Sequence, residues 1–176
     1  MTASDDPLRS DLGTDSDYVP PVYALSAVVY AERGDEILLL KRAAGSALAG
    51  QWYLPGGAAE PGELPEEVAR RELLEESGLE IDGELEIVGC FPMRVYGHDT
   101  LQVSYRGRVA EGEVVVSHEH DGARWAKASD MRALLTDEVV EQISGGRDDV
   151  RSILTRVRID LDHYLAKVAR SSSRAD

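Results

Sequence analysis

Apolar residues recur along this chain with two different periods. "VYALSAVVYAE" (22–32) and "EILLLKRA" (36–43) are dense in β-branched and aliphatic side chains, and "RGD" (33–35) between them is a turn, so the pair predicts a strand hairpin. "ELEIVGCFPM" (84–93) and "TLQVSYRGRVA" (100–110) predict two further strands, and "EVVVSHEHDGARWAKA" (113–128) begins as a strand before passing into a loop. Between these groups the pattern turns helical over 65–77. Pro65 suits a first helical turn, Glu66 and Glu67 suit its positive end, and Gly78 suits the residue just past the last turn. The C-terminal third is helical as well. "SDMRALLTDEVVEQI" (129–143) has Ser129 as its cap candidate, and "GG" at 145–146 separates it from a final helix. In that helix Val150, Leu154, Val157, Leu161, Tyr164 and Val168 follow spacings of four and three, a narrow stripe that either covers the domain's own core or forms the seam of a homodimer.

These elements divide the chain into an acidic arm (1–20), disordered or dependent on a partner, a domain over 21–145, a C-terminal helix over 146–170 and a mobile tail (171–176). With 176 residues, 43% of them hydrophobic, the chain fits one domain with a sizeable core. A formal charge of −14 argues against broad binding to nucleic acid or to an anionic membrane. No apolar run approaches membrane-spanning length and the N-terminus lacks the apolar core of a secretory signal, so the expected location is cytoplasmic. The lone Cys90 lies in an apolar strand-like run and is expected to be a buried structural thiol.

The predicted helix 65–77 carries a feature that local stability does not explain. At about 100° per residue, Glu72, Glu75 and Glu76 share one helix face with like charges at spacings of three and four, and they crowd the negative end of the helix. A solvated acidic face is the ordinary explanation of such a run. A divalent cation offers another, since it turns mutual repulsion into a set of hard oxygen ligands of the kind Mg²⁺ or Mn²⁺ prefers.

Gly57, Glu63, Arg71, Glu72, Leu73, Glu75, Glu76, Gly78 and Leu79 together resemble the Nudix hydrolase signature in its MutT-like form, with every fixed position and spacing present. "LLLKR" (38–42) and "GQWYLPGG" (50–57) are similar to the strand and approach loop that precede that signature. One departure is visible: Leu64, where many members carry a capping serine or threonine, has no side-chain oxygen, which loosens the first turn by about 1 kcal/mol.

The resemblance implies an α/β (α+β) fold, an αβα sandwich with a mixed sheet, to which this chain adds a C-terminal helix. It implies cleavage of the diphosphate linkage of a nucleoside diphosphate derivative by water with Mg²⁺ or Mn²⁺, the substrate being a small molecule such as a nucleoside triphosphate, a nucleotide sugar, an ADP-ribose-like compound or a dinucleoside polyphosphate. A non-catalytic nucleotide-binding regulator is the alternative. By matching position Glu72, Glu75 and Glu76 are the metal ligands, joined by the main-chain carbonyl of Gly56. Glu63 is a weaker ligand or a loop anchor, and Arg71 orients a carboxylate. The general base is a box glutamate or Glu119 in "SHEHDGARW", which is also a candidate ligand. His118 and His120 flank Glu119 and admit a zinc reading that nothing else supports. Arg42 and Arg94 are candidate phosphate contacts, and Tyr96 is a candidate for stacking on a base.

Overall fold

The structure is a computed structural model that describes residues 21–45, 48–95 and 97–173, so the acidic arm and Tyr96 lie outside the described residues. The alternating segments pair as a mixed sheet of seven strands: β1 (Ala24–Arg33), β2 (Glu36–Arg42), β3 (Trp52–Tyr53), β4 (Gly56–Ala58), β5 (Glu86–Val95), β6 (His98–Arg108) and β7 (His120–Ala126). β1 and β2 form the expected hairpin, and β1 runs parallel to β6 from Ala24 opposite Thr100 to Glu32 opposite Arg108. The remaining pairs are antiparallel. β3 joins β2 and β4 joins β1, two short strands within the stretch expected as an approach loop.

Helices cover both faces of the sheet. On one face α1 (Pro65–Ser77) buries Val68, Ala69 and Leu73 against Ala27, Val29, Leu38 and Leu40. On the other lie α2 (Ala128–Leu134), α3 (Asp137–Ser144) and α4 (Asp148–Ser172). There Val150, Leu154, Val157, Leu161 and Tyr164 of α4 join Val28, Tyr30, Ile37 and Leu39 in one cluster. Each such side chain contributes roughly 1.5–3 kcal/mol by leaving water, so the stripe on α4 packs on this chain's own sheet. The ring of Tyr164 stacks on that of Tyr30 with centroids 4.2 Å apart. Among the described residues no helix is long and apolar enough to cross a membrane.

Three local expectations need correction. Glu113–Val116 is not a strand: Val115 and Ser117 donate their backbone N–H groups to the carbonyls of Ser77 and Glu76 at the end of α1 (2.9 and 3.1 Å), so these donors serve a helix terminus and not a ladder. The helix expected over 129–143 is two helices, broken at Leu135 and Thr136: Ser129 lies inside the first, whose N-cap position is Lys127 with no side-chain bond, and Thr136 caps the second, its hydroxyl accepting from Val139 N at 3.3 Å. Cys90 is exposed rather than buried. β5 is the edge strand, and its pairing with β6 shifts register between Ile87 and Gly89, which turns Val88 and Met93 inward and leaves Cys90 outside the cover of α1.

Candidate active site

The site is built where α1 crosses the strand ends. Proline in the first turn starts α1, and Glu67 accepts from the backbone N–H of Leu64 at 2.8 Å, so half of a capping box is made although Leu64 offers no oxygen. Gly78 ends the helix in the left-handed conformation (φ 70°), which sends the chain away directly after Glu76. Gly57 lets α1 approach β4, and Gly56 lets β4 lie close against β1. A Cβ on Gly57 would fall 2.4 Å from Glu72 Oε1, and one on Gly56, whose φ is 152°, would fall 2.2 Å from Ala27 O.

Arg71 gathers the acidic side chains. Its Nε and Nη2 donate to the two oxygens of Glu63 (2.8 and 2.9 Å), its Nη1 donates to Glu72 (2.7 Å) and Glu75 (3.2 Å), and Nη2 also reaches Ala58 O (3.1 Å). A planar fork with five donors is the side chain that can do this. The Glu63 bonds, above all, hold the Arg71 guanidinium far above its ordinary pKa, and the same bonds hold Glu63 below the usual carboxylate range. Glu63 also accepts from Glu60 N (2.9 Å), so its carboxylate braces the loop ahead of α1.

Glu76 is buried. Its Oε2 accepts from Gly56 N at 2.9 Å, and its Oε1 lies 3.5 Å from His120 Nε2 and 3.8 Å from Arg42 Nη1. Burial pushes its pKa up to about 8, with the charges of Glu72 and Glu119 adding to the rise and the Gly56 N–H and Arg42 opposing it. Glu72 is raised too, first by burial, against the pull of Arg71. His120 is lowered, first by burial and then by Arg42, so its contact with Glu76 is not an ion pair at neutral pH. Sequence reasoning gave His120 no role beyond the zinc possibility. The structure buries it beneath Glu76 and leaves His118 exposed, so the two do not form a pair.

Arg42, Gly56, Arg71, Glu72, Glu75, Glu76 and Glu119 all line one cleft of about 610 Å³. Arg94 does not; it is exposed and ion-paired with Asp99 at 3.1 Å. Missed by sequence reasoning are the residues of the cleft's other end, among them Met93, Thr100, Gln102 and Ile153. The one available signal was the run of polar residues at alternate positions of the 100–110 strand, Thr100, Gln102 and Ser104, in a segment otherwise fit for burial.

The donors suit a divalent cation in kind, since they are carboxylate and carbonyl oxygens that repel one another in a partly dry cleft. As placed, no three acidic, imidazole or thiol side chains among the described residues close around one point. Glu72 is turned to Arg71, Glu76 to Gly56 N, and Glu75 is mostly exposed.

Comparison with known proteins agrees with this architecture. The NUDIX domain family model matches residues 20–143. The chain therefore belongs to the Nudix hydrolase family. A MutT-like protein of Streptomyces ambofaciens is 30% identical over 71% of this chain and 72% of its own length. A nudix hydrolase of Caenorhabditis elegans is 29% identical over 63% of this chain, and an NAD-capped RNA hydrolase, NudC, of Pseudomonas putida is 32% identical over 65%. The chain spans only 30% and 40% of the lengths of those two proteins. Among solved structures, a MutT protein from Methanosarcina mazei superposes with a TM-score of 0.54 at 25% identity over 80% of this chain and 96% of that one. A C. elegans Ap4A hydrolase superposes with a TM-score of 0.57 over 85% and 98%, which at 21% identity speaks for the fold alone.

Proposed function

We propose that this chain is a pyrophosphohydrolase that uses water to cleave the diphosphate linkage of a nucleoside diphosphate derivative, with Mg²⁺ or Mn²⁺ as cofactor. The observation that carries the reading is the buried Glu76, raised to about 8 beside Glu72 with only one backbone N–H bonded to it, in the cleft that also holds Glu75, Glu119 and two arginines. Glu72, Glu75 and Glu76 would hold the cation, with the Gly56 carbonyl and Glu119 as further donors. When bound, the cation neutralises phosphate oxygens and makes water more acidic.

The side chains supply the rest. Arg71 keeps Glu72 and Glu75 from swinging apart, and Glu63 in turn holds Arg71, which makes Glu63 an anchor in this reading. Glu119, exposed at the mouth of the cleft, accepts a proton from the attacking water. Arg42, 3.8 Å from Glu76 in the same cleft, would meet the phosphate chain.

The test is a panel of nucleoside triphosphates, nucleotide sugars, ADP-ribose and dinucleoside polyphosphates, with and without Mg²⁺ or Mn²⁺, scored by product analysis. NAD-capped RNA belongs in it because the Pseudomonas relative is named for that substrate. Cation-dependent product from any member supports the reading. No product, with a ligand still raising the melting temperature, would instead indicate a nucleotide-binding regulator.

A further inference from the structure

We infer that Gln102, backed by helix α4, is the specificity-determining residue that reads the hydrogen-bonding edge of an uncharged planar heterocycle, the base of the substrate's nucleoside. The inference rests on the function proposed for this cleft and concerns the end that the acidic signature does not reach.

Charge comes first. The arginines lining the cleft are engaged with acidic groups, Arg71 with Glu63, Glu72 and Glu75, and Arg42 3.8 Å from Glu76. The described residues lining the cleft include no lysine and no further arginine. Beyond the carboxylates the walls are Leu48, Tyr53, Met93, Val95 and Ile153, and the polar side chains are Ser26, His98, Thr100 and Gln102, with no lysine or arginine among them. A second phosphate chain or an acidic sugar would find little counter-charge there. A heterocycle, with apolar faces and a polar edge, finds what it needs.

Position comes next. Ser26 of β1 is in register with Ala58 of β4 on one side and with Gln102 of β6 on the other. Gln102 therefore stands two strand spacings, roughly 10 Å, from the backbone beside the α1 carboxylates, a span one nucleoside bridges. The residue is 7% exposed. An amide has two donor hydrogens and an acceptor oxygen, more than its neighbour, the Tyr53 hydroxyl, can take up. The neighbouring Ser26 Oγ is buried with no hydrogen-bond partner among the described residues, and such a group is costly unless something supplies one.

Helix α4 holds this end in place. It lies beyond residue 143, where the family match stops, yet it contributes Ile153 to the cleft wall. Seven residues on, two turns along the same face, Asp160 Oδ2 accepts from Ser104 (2.6 Å) and Tyr30 (3.1 Å). Ser104 follows Gln102 by two positions on β6, and Tyr30 follows Val28, itself in the cleft, by two on β1. The buried carboxylate thus pins α4 to the strands that present Gln102.

The experiment compares wild type with Gln102→Leu, Gln102→Glu and Ile153→Trp on nucleoside triphosphates of four bases and on a base-free diphosphate, phosphoribosyl diphosphate, with Mg²⁺. Gln102→Leu should lower kcat/KM for the preferred base about 10- to 100-fold, mainly through KM, and level the preference among bases, with the base-free rate unchanged. Gln102→Glu, which keeps the shape and exchanges a donor for an acceptor, should shift the preference and serves if the leucine variant does not fold. Ile153→Trp should raise KM for all four nucleosides and not for the base-free substrate. An unchanged order and ratio of bases in a folded Gln102 variant overturns the inference. If wild type hydrolyses nothing, the proposed function fails, and calorimetric binding of non-hydrolysable methylene-bridged triphosphates decides this point separately. Base selectivity lost in the Gln102 variant upholds it, and equal binding of all four bases by wild type overturns it.

Discussion

Glu76 and Asp160 are both nearly excluded from water, at 4% and 2% exposure, and burial pushes both carboxyl groups above their usual range. Their surroundings differ. Asp160 lies between α4 and the sheet, accepts from two hydroxyls on Oδ2 while its Oδ1 has no partner among the described residues, and has no acidic neighbour among the groups that shift it. Glu76 opens on the cleft, accepts from one backbone N–H, and is pressed by the charges of Glu72 and Glu119. A buried acid with hydroxyl donors and no like charge is a structural fixture. A buried acid facing two others is held where a cation from outside would relieve it.

The comparison breaks most sharply in activity. Glu76→Gln keeps volume and removes one charge, and turnover should fall roughly 10²-fold or more in a protein that stays folded. A near-normal rate in a steady-state assay would remove Glu76 from the cation's ligands. Next in size is Arg71→Lys. Lysine cannot span Glu63, Glu72 and Glu75 at once, so kcat should drop about 10- to 100-fold with little change in melting temperature. An unchanged kcat would make Arg71 an ordinary surface cation.

Two smaller effects sharpen the same contrast through pH. The folded-state pKa of Glu76, about 8, lies above the 4.5 of a free glutamate. The folded protein therefore binds the extra proton between those values, and the stability this contributes is full below 4.5 and lost as pH rises through 8. Denaturant titrations without divalent ions should show stability falling by on the order of 3 kcal/mol from pH 5 to 8, and Mg²⁺ should flatten the slope. A slope that survives in Glu76→Gln would assign it to another group. Asp160 is raised in the same direction, so its contribution is also lost as pH rises through its folded value. Asp160→Asn should therefore gain on wild type as pH increases, by about 1 kcal/mol, with the Mg²⁺ effect intact. A Mg²⁺ effect lost in that variant would mean that the two acids are coupled.

Where the chain's own periodicity carried the information, the reading held to within a residue or two. Pro65, the early glutamates and Gly78 bound α1 as expected, because caps and turn residues act locally. Of the stripe on α4, Val150, Leu154, Val157, Leu161 and Tyr164 are buried and Val168 is partly buried, while Ile153 and Asp160 are buried outside it. Failures came where a remote partner decided. Val115 spends its backbone donor on the end of α1, and Cys90 lies on an edge with no cover.

The candidate site divides along the same line. Spacing alone put Glu72, Glu75 and Glu76 on one helix face, since a helix converts sequence intervals directly into angles. Arg71 joins Glu63, Glu72 and Glu75 within eight positions of itself, whereas the dry setting of Glu76 and the presence of Glu119 in the same cleft follow from β4 and β7 being carried to α1 by the sheet. Gln102 and Ile153 meet in one cavity although 51 positions separate them. Contacts of that kind depend on how strands and helices pack across the chain, and no local pattern encodes them.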